Sequence, residues 1–134
     1  MKISKLLRKT REFYSVDRNR WGKGALRNAD GSYCLLGAAA SVVTNKEAID
    51  TLTWADLAFC REGYNGGQLA EFVHYDELPN VKGRSILREF EIFFAEHVGH
   101  LSSVEGWNDV KTRTRAEVLA QLRRLEKIAL EEGQ

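Results

Sequence analysis

Apolar and polar positions alternate along this chain with a helical period in three places. Ile3, Leu6, Leu7, Thr10, Phe13 and Tyr14 recur at offsets of three and four. Lys2, Lys5, Arg8, Lys9 and Arg11 fall on the opposite side, so the spacing predicts a first amphipathic helix. The widest apolar stripe runs through Ile86, Leu87, Phe90, Phe93, Phe94, His97 and Val98. It predicts a helix at the centre of the core, with Gly99 as its stop. Thr114-Arg115-Ala116-Glu117 has the residues of a capping box, in which each side chain satisfies the other's backbone N–H. Val118, Leu119, Leu122, Leu125, Ile128 and Ala129 follow on one face and predict the last helix.

The intervening stretches are less regular. From Trp21 to Leu35 the helical period breaks, and Ala29-Asp30-Gly31-Ser32 reads as a turn between short extended arms, with glycine supplying a positive φ. Leu35 to Val43 is small and apolar, and Gly37, Ala38 and Ala40 would let another backbone approach closely. Thr53-Trp54-Ala55-Asp56 resembles a capping box with aspartate in place of glutamate, opening a short helix to about Cys60. Gly63 to Gly67 reads as a loop, and Gln68 to Tyr75, ambiguous between helix and strand, is assigned to helix. Ser102 to Val110 is expected to be a short connection carrying Trp107-Asn108-Asp109. The expected fold is mainly α. It is a compact single-domain helical bundle over residues 1–134, with at most one small β-hairpin around Asp30-Gly31.

Composition narrows this picture. A chain of 134 residues can bury one modest core, and 43% apolar with 29% charged residues is ordinary for a globular protein. No apolar run approaches the ~20 residues of a membrane span. The basic start, Met1 to Lys9, has no uninterrupted apolar segment of the kind that secretory signals carry. A cytoplasmic location without membrane association is expected. Cys34 and Cys60 are then thiols, and neither belongs to a Cys-x-x-Cys pair. Gly99 between His97 and His100 weakens a helical metal site, and neither a metal nor a cofactor is expected. The net charge of +1 conceals an uneven distribution, because nine basic residues through Arg27 face only Glu12 and Asp17.

Three groups of residues could carry chemistry. Cys34 opens a helix, where the dipole and unpaired N–H groups favour a thiolate, and His74, His97, His100, Asn108 and Asp109 follow in the Cys–His–Asn/Asp order of papain-like and cell-wall peptidases. Cys34, His97 and Asp109 are therefore catalytic candidates. Against this stand the helical reading of the intervening chain, the position of His97 on an apolar stripe, and the tendency of cysteine to be buried. Trp21, Lys23, Trp107, Asn108, Asp109 and Arg113 form a second set, able to contact a ligand or partner or to shape a turn and cap a helix. Lys5, Arg8, Lys9 and Arg11 make a basic surface suited to an acidic partner or to phosphate, the simpler alternative being a solvated helix face. Gly22-Lys23-Gly24 lacks the spacing and the Lys-Ser/Thr ending of a phosphate loop.

The motifs Trp21-x-x-Gly24-Ala25, Cys34-Leu35-Leu36-Gly37-Ala38 and Trp107-Asn108-Asp109, the last followed by Arg113-Thr114-x-x-Glu117-Val118, carry a resemblance. The chain resembles a family of small uncharacterised proteins of bacterial, especially actinobacterial, genomes and of their phages. The likeness lies in the two ends of the chain, and the middle, roughly residues 46–101, departs from it. The resemblance implies that the Cys34 and Asn108-Asp109 segments share one structural unit, and it brings no catalytic mechanism. Three functions are compatible with these readings. The favoured one is a non-enzymatic binding or regulatory protein acting on a host or defence protein. The others are a cysteine-dependent hydrolase or transferase using Cys34 with a histidine and Asn108 or Asp109, and a nucleic-acid accessory protein using the basic first helix.

Overall fold

The computed structural model describes residues 1–24, 27–44, 84–99 and 103–134. The expected helix at Thr53 to Cys60, the loop at Gly63 to Gly67, the Gln68 to Tyr75 segment, His74 and His100 lie outside the described residues. Five α-helices are seen among those described, α1 (Ile3–Val16), α2 (Leu35–Thr44), α3 (Arg84–Val98), α4 (Val104–Asn108) and α5 (Arg115–Glu131). The fold is mainly helical, as the periodicity implies.

Helix α1 forms because its apolar residues return to one side every turn. Ile3, Leu6, Leu7, Thr10 and Tyr14 are buried, while Lys5, Arg8 and Lys9 face solvent. The buried hydroxyl of Thr10 donates to the Leu6 carbonyl at 2.8 Å, which satisfies it on the apolar face. The chain leaves the helix at Asp17, whose side chain accepts from Asn19 N at 2.8 Å and caps a single 3-10 turn, Arg18–Arg20. That turn was not foreseen from the sequence.

Helix α5 begins with the complete Thr114–Glu117 capping box and buries Val118, Leu122, Leu125 and Ala129. It runs antiparallel to α1, as three cross-links show. Ser4 N donates to Gln134 O at 3.1 Å, Arg11 Nη2 meets Glu126 Oε1 at 2.8 Å, and Arg115 Nη2 donates to Tyr14 O at 3.0 Å. The Arg11–Glu126 pair is largely shielded by the two helices, so it is screened less than a surface pair.

Helix α2 is enclosed from Leu35 to Ser41. It packs against α1, α3 and α4. The phenylalanine-rich α3 buries Leu87, Phe90, Phe93 and Phe94 and ends where expected, with Gly99 N donating to Ala95 O. Among the described residues it is not the hub, however. Helix α1 takes that place, touching α5 along its length and also α2 and α3. The reason is that α1 offers apolar residues to several neighbours at once, whereas its outer side carries the charges.

Two local expectations change. The stretch around Trp107 is not an irregular connection. It contains α4, started by Ser103, whose hydroxyl accepts from Gly106 N at 3.0 Å, and anchored by buried Val104. The arms around Asp30-Gly31 shrink to isolated bridges, Trp21 with Tyr33 and Arg27 with Tyr33, and no strand is present among the described residues. The turn itself forms, with Gly31 at φ +85° and Asn28 N donating to Ser32 O at 2.7 Å. Asp30 Oδ1 closes it by accepting from Ser32 N and Ser32 Oγ at 2.9 and 2.7 Å. These bonds and the ionised form of Asp30 support each other, which holds its carboxyl below the usual carboxylate range.

Candidate functional site

The second motif set comes together at one joint, where the loop after α1 meets the connection from α4 to α5. Asn108 is the centre of it and is fully enclosed. Its Oδ1 accepts from the Trp21 indole N–H at 2.7 Å, and its Nδ2 donates to Gly22 O at 2.9 Å and to Asp109 Oδ1 at 3.0 Å. The same Asp109 oxygen accepts from Gly24 N at 3.0 Å. Lys23 Nζ donates to the carbonyls of Val110 and Lys111, both at 2.9 Å, and lies 5.5 Å from the Trp21 ring centre. A side chain at position 22 would not fit, because a Cβ there would come within 2.7 Å of Ser32 Cβ.

Arg113 completes the joint from the far side. Its guanidinium stacks 4.0 Å from the Trp107 ring centre, its Nε donates to Trp107 O at 3.0 Å, and its Nη1 lies 3.5 Å from Glu117 Oε2. Trp107 in turn meets Phe94 edge to face at 5.6 Å, which ties the joint to the core. Glu117 Oε1 accepts from Thr114 N at 2.9 Å and from Thr114 Oγ1 at 3.1 Å. Those bonds, with Arg113 nearby, hold its carboxyl below the usual range.

The three catalytic candidates occupy different surroundings. Cys34 is at the start of α2, as the sequence suggests, and its carbonyl accepts from Ala38 N at 2.9 Å, but its side chain is 0% exposed within the hydrophobic core. His97 stands near the end of α3, its ring 4.4 Å from Phe93 and its Nε2 3.5 Å from Glu132 Oε2 at the end of α5. Asp109 belongs to the joint. A reactive thiol is accessible and in electropositive surroundings, and the enclosed position of Cys34 is the opposite. Helices α2 and α4 do pack together, so the Cys34 and Asn108 segments share one unit.

Tyr14, which the sequence marks only as core, carries a buried polar group. Its hydroxyl donates to Tyr33 O at 3.0 Å in a fully buried position. Burial pushes its pKa well above the ordinary tyrosine value, and the charges of Cys34 and Asp109 act in the same direction. Also missed was a stack of Arg20, Phe13, Tyr33 and Arg27. Nothing in the linear spacing marks it, because its members are brought together through space. The basic residues Lys5, Arg8 and Lys9 line the outer side of α1, and Arg11 is turned towards α5 by Glu126. Among the described residues no group of three or more potential metal ligands occurs.

A small helical protein, joined by a polar network between its first loop and its last helix, is the class these features define. The chain belongs to DUF6197, a family of unknown function whose profile matches residues 1–127, the middle of the chain included. No curated protein and no solved structure matches it. No helix among the described residues is long and apolar enough to cross a membrane.

Proposed function

We propose that this protein is a non-enzymatic binding or regulatory module, cytoplasmic and of bacterial or phage origin, that acts through an acidic surface of a protein partner. One observation carries the reading, the destination of the polar groups. Trp21, Lys23, Asn108, Asp109 and Arg113 engage one another and the backbone around them. Among the described residues the side chains of Lys5 and Lys9 make no hydrogen bond or ion pair, and that of Arg8 only a 3.9 Å pair with Glu12. A row of solvated cations along one helix suits complementary charge on a partner, which raises association rates and selects orientation. A hydrolase would need Cys34 exposed to substrate, and its enclosure argues against that chemistry.

Affinity capture from the native host followed by mass spectrometry tests the proposal. A partner that co-purifies at low salt and is lost from Lys5/Arg8/Lys9→Glu supports it, and repeated recovery of the chain alone overturns it. Rapid alkylation of Cys34 by iodoacetamide in the folded protein at neutral pH would restore the enzyme reading. Binding to single-stranded nucleic acid with a steep salt dependence would favour the accessory role.

A further inference from the structure

A hollow beside the 3-10 turn has a different character from the α1 surface. Phe13 and Tyr33 meet edge to face, with ring centres 5.2 Å apart. A guanidinium sits against each ring, Arg20 at 4.4 Å from the centre of Phe13 and Arg27 at 5.9 Å from the centre of Tyr33. Arg20 Nη1 also donates to Phe13 O at 3.4 Å. Both arginines line a hollow of about 320 Å³ together with Asp17, Asn19, Asp30 and Tyr33. Stacking orients Arg27 without using its N–H groups, and it makes no hydrogen bond or ion pair among the described residues. Among the described residues each aspartate side chain is engaged through Oδ1, Asp17 by Asn19 N and Asp30 by Ser32.

Size and charge select the ligand. Pockets for small molecules run from about 300 to 1,000 Å³ and are mostly apolar. This hollow is at the lower limit and is lined by two cations and two anions. A continuous polyanion such as nucleic acid would be repelled by Asp17 and Asp30. An isolated carboxylate on a peptide would meet the arginines, with flanking amide N–H groups left to face the aspartates.

We infer that this hollow receives a single aspartate or glutamate side chain from a loop of the protein partner. The carboxylate accepts from the Arg27 guanidinium, with the Arg20 charge beside it, and adjacent backbone N–H groups donate to Asp17 and Asp30. The inference rests on the binding reading above but places recognition at a second surface, separate from Lys5, Arg8 and Lys9.

The test follows the Arg20 and Arg27 Nε–Hε signals and the Gly31 amide by NMR in the full chain, while acetyl-Gly-Glu-Gly-amide is added. The three signals are expected to shift together and saturate. The glutamine counterpart is expected to bind roughly tenfold more weakly, a loss typical of one charge-assisted contact. Arg27→Gln should abolish saturation without changing the urea midpoint, and Arg20→Lys should weaken it. Inorganic phosphate should bind less well than the peptide until Asp17 and Asp30 are changed to asparagine. Equal response to the glutamate and glutamine peptides overturns the inference, as does a preference for phosphate in the wild type. A captured partner that ignores Arg27→Gln but is lost from Lys5/Arg8/Lys9→Glu removes the hollow and leaves the binding module. Peptide saturation without any captured partner has the reverse meaning.

Discussion

The joint around Asn108 and the outer side of α1 are both rich in polar residues, yet they stand in opposite relation to the rest of the molecule. At the joint nearly every side-chain donor has an acceptor within the chain, from the Trp21 indole to the Lys23 ammonium. On α1 the lysines project into water. A tryptophan–asparagine–aspartate motif looks like a binding site when read alone, because the same residue types that grip ligands also grip backbone. The contrast teaches that burial and the destination of each hydrogen bond, not residue type, separate the two uses.

The comparison can be broken most forcefully at Asn108. Asn108→Ala removes its bonds to Trp21 and Gly22 and leaves buried polar groups behind, each costing about 1–3 kcal/mol. A loss of roughly 3 kcal/mol in urea unfolding is expected. A loss well below 1 kcal/mol would show that the network is not structural.

Tyr14→Phe deletes one buried hydrogen bond, at a cost of about 1 kcal/mol at neutral pH. Its pH dependence is the sharper readout. The folded pKa of Tyr14 is raised, so the unfolded chain releases this proton first, at about pH 10. The stabilisation from Tyr14 is fully present below that pH and falls as pH rises beyond it. The phenylalanine variant should show a flatter alkaline limb in a pH series of thermal melts, and an unchanged limb would contradict the assignment.

Thr114→Ala opens the capping box and is expected to cost about 1 kcal/mol or less. Glu117 has a lowered pKa in the folded state, so its contribution is present above the ordinary glutamate value and lost as pH falls through the folded one. Acid unfolding of Glu117→Gln should therefore begin from a lower plateau but show less loss across that window. Parallel acid limbs in the variant and wild type would count against the box as a titrating element.

The smallest stability effect belongs to the other region. Lys5/Arg8/Lys9→Glu should leave unfolding within about 0.5 kcal/mol per site, as is usual for exposed positions. Partner capture should nevertheless disappear. If stability fell by several kcal/mol instead, α1's outer side would be structural and the contrast would fail.

How much was legible in the sequence depended on range. The stripe of α1, the capping box of α5 and the Gly99 stop are local, and each appears in the structure where the pattern places it. Helix α4 was missed because five residues give too few turns for a period, and its Ser103 cap resembles ordinary loop chemistry. The hairpin arms did not become strands because Tyr33 is shared between Trp21 and Arg27, so neither pairing extends. At the site, Cys34 was correctly placed at a helix start, but its enclosure depends on α1 covering α2, which no local signal contains.

Helical periodicity, capping residues and the uneven charge of the first 27 residues were determined by the sequence alone, since they depend on neighbours within a turn or two. Only the tertiary structure decided that Asn108 bonds Trp21 across 87 positions, that Arg11 turns inward to Glu126, and that Arg20 and Arg27 flank one aromatic pair. The reason is physical. A hydrogen bond or ring contact acts over a few ångströms, and which distant residues come within that range is set by how the helices pack.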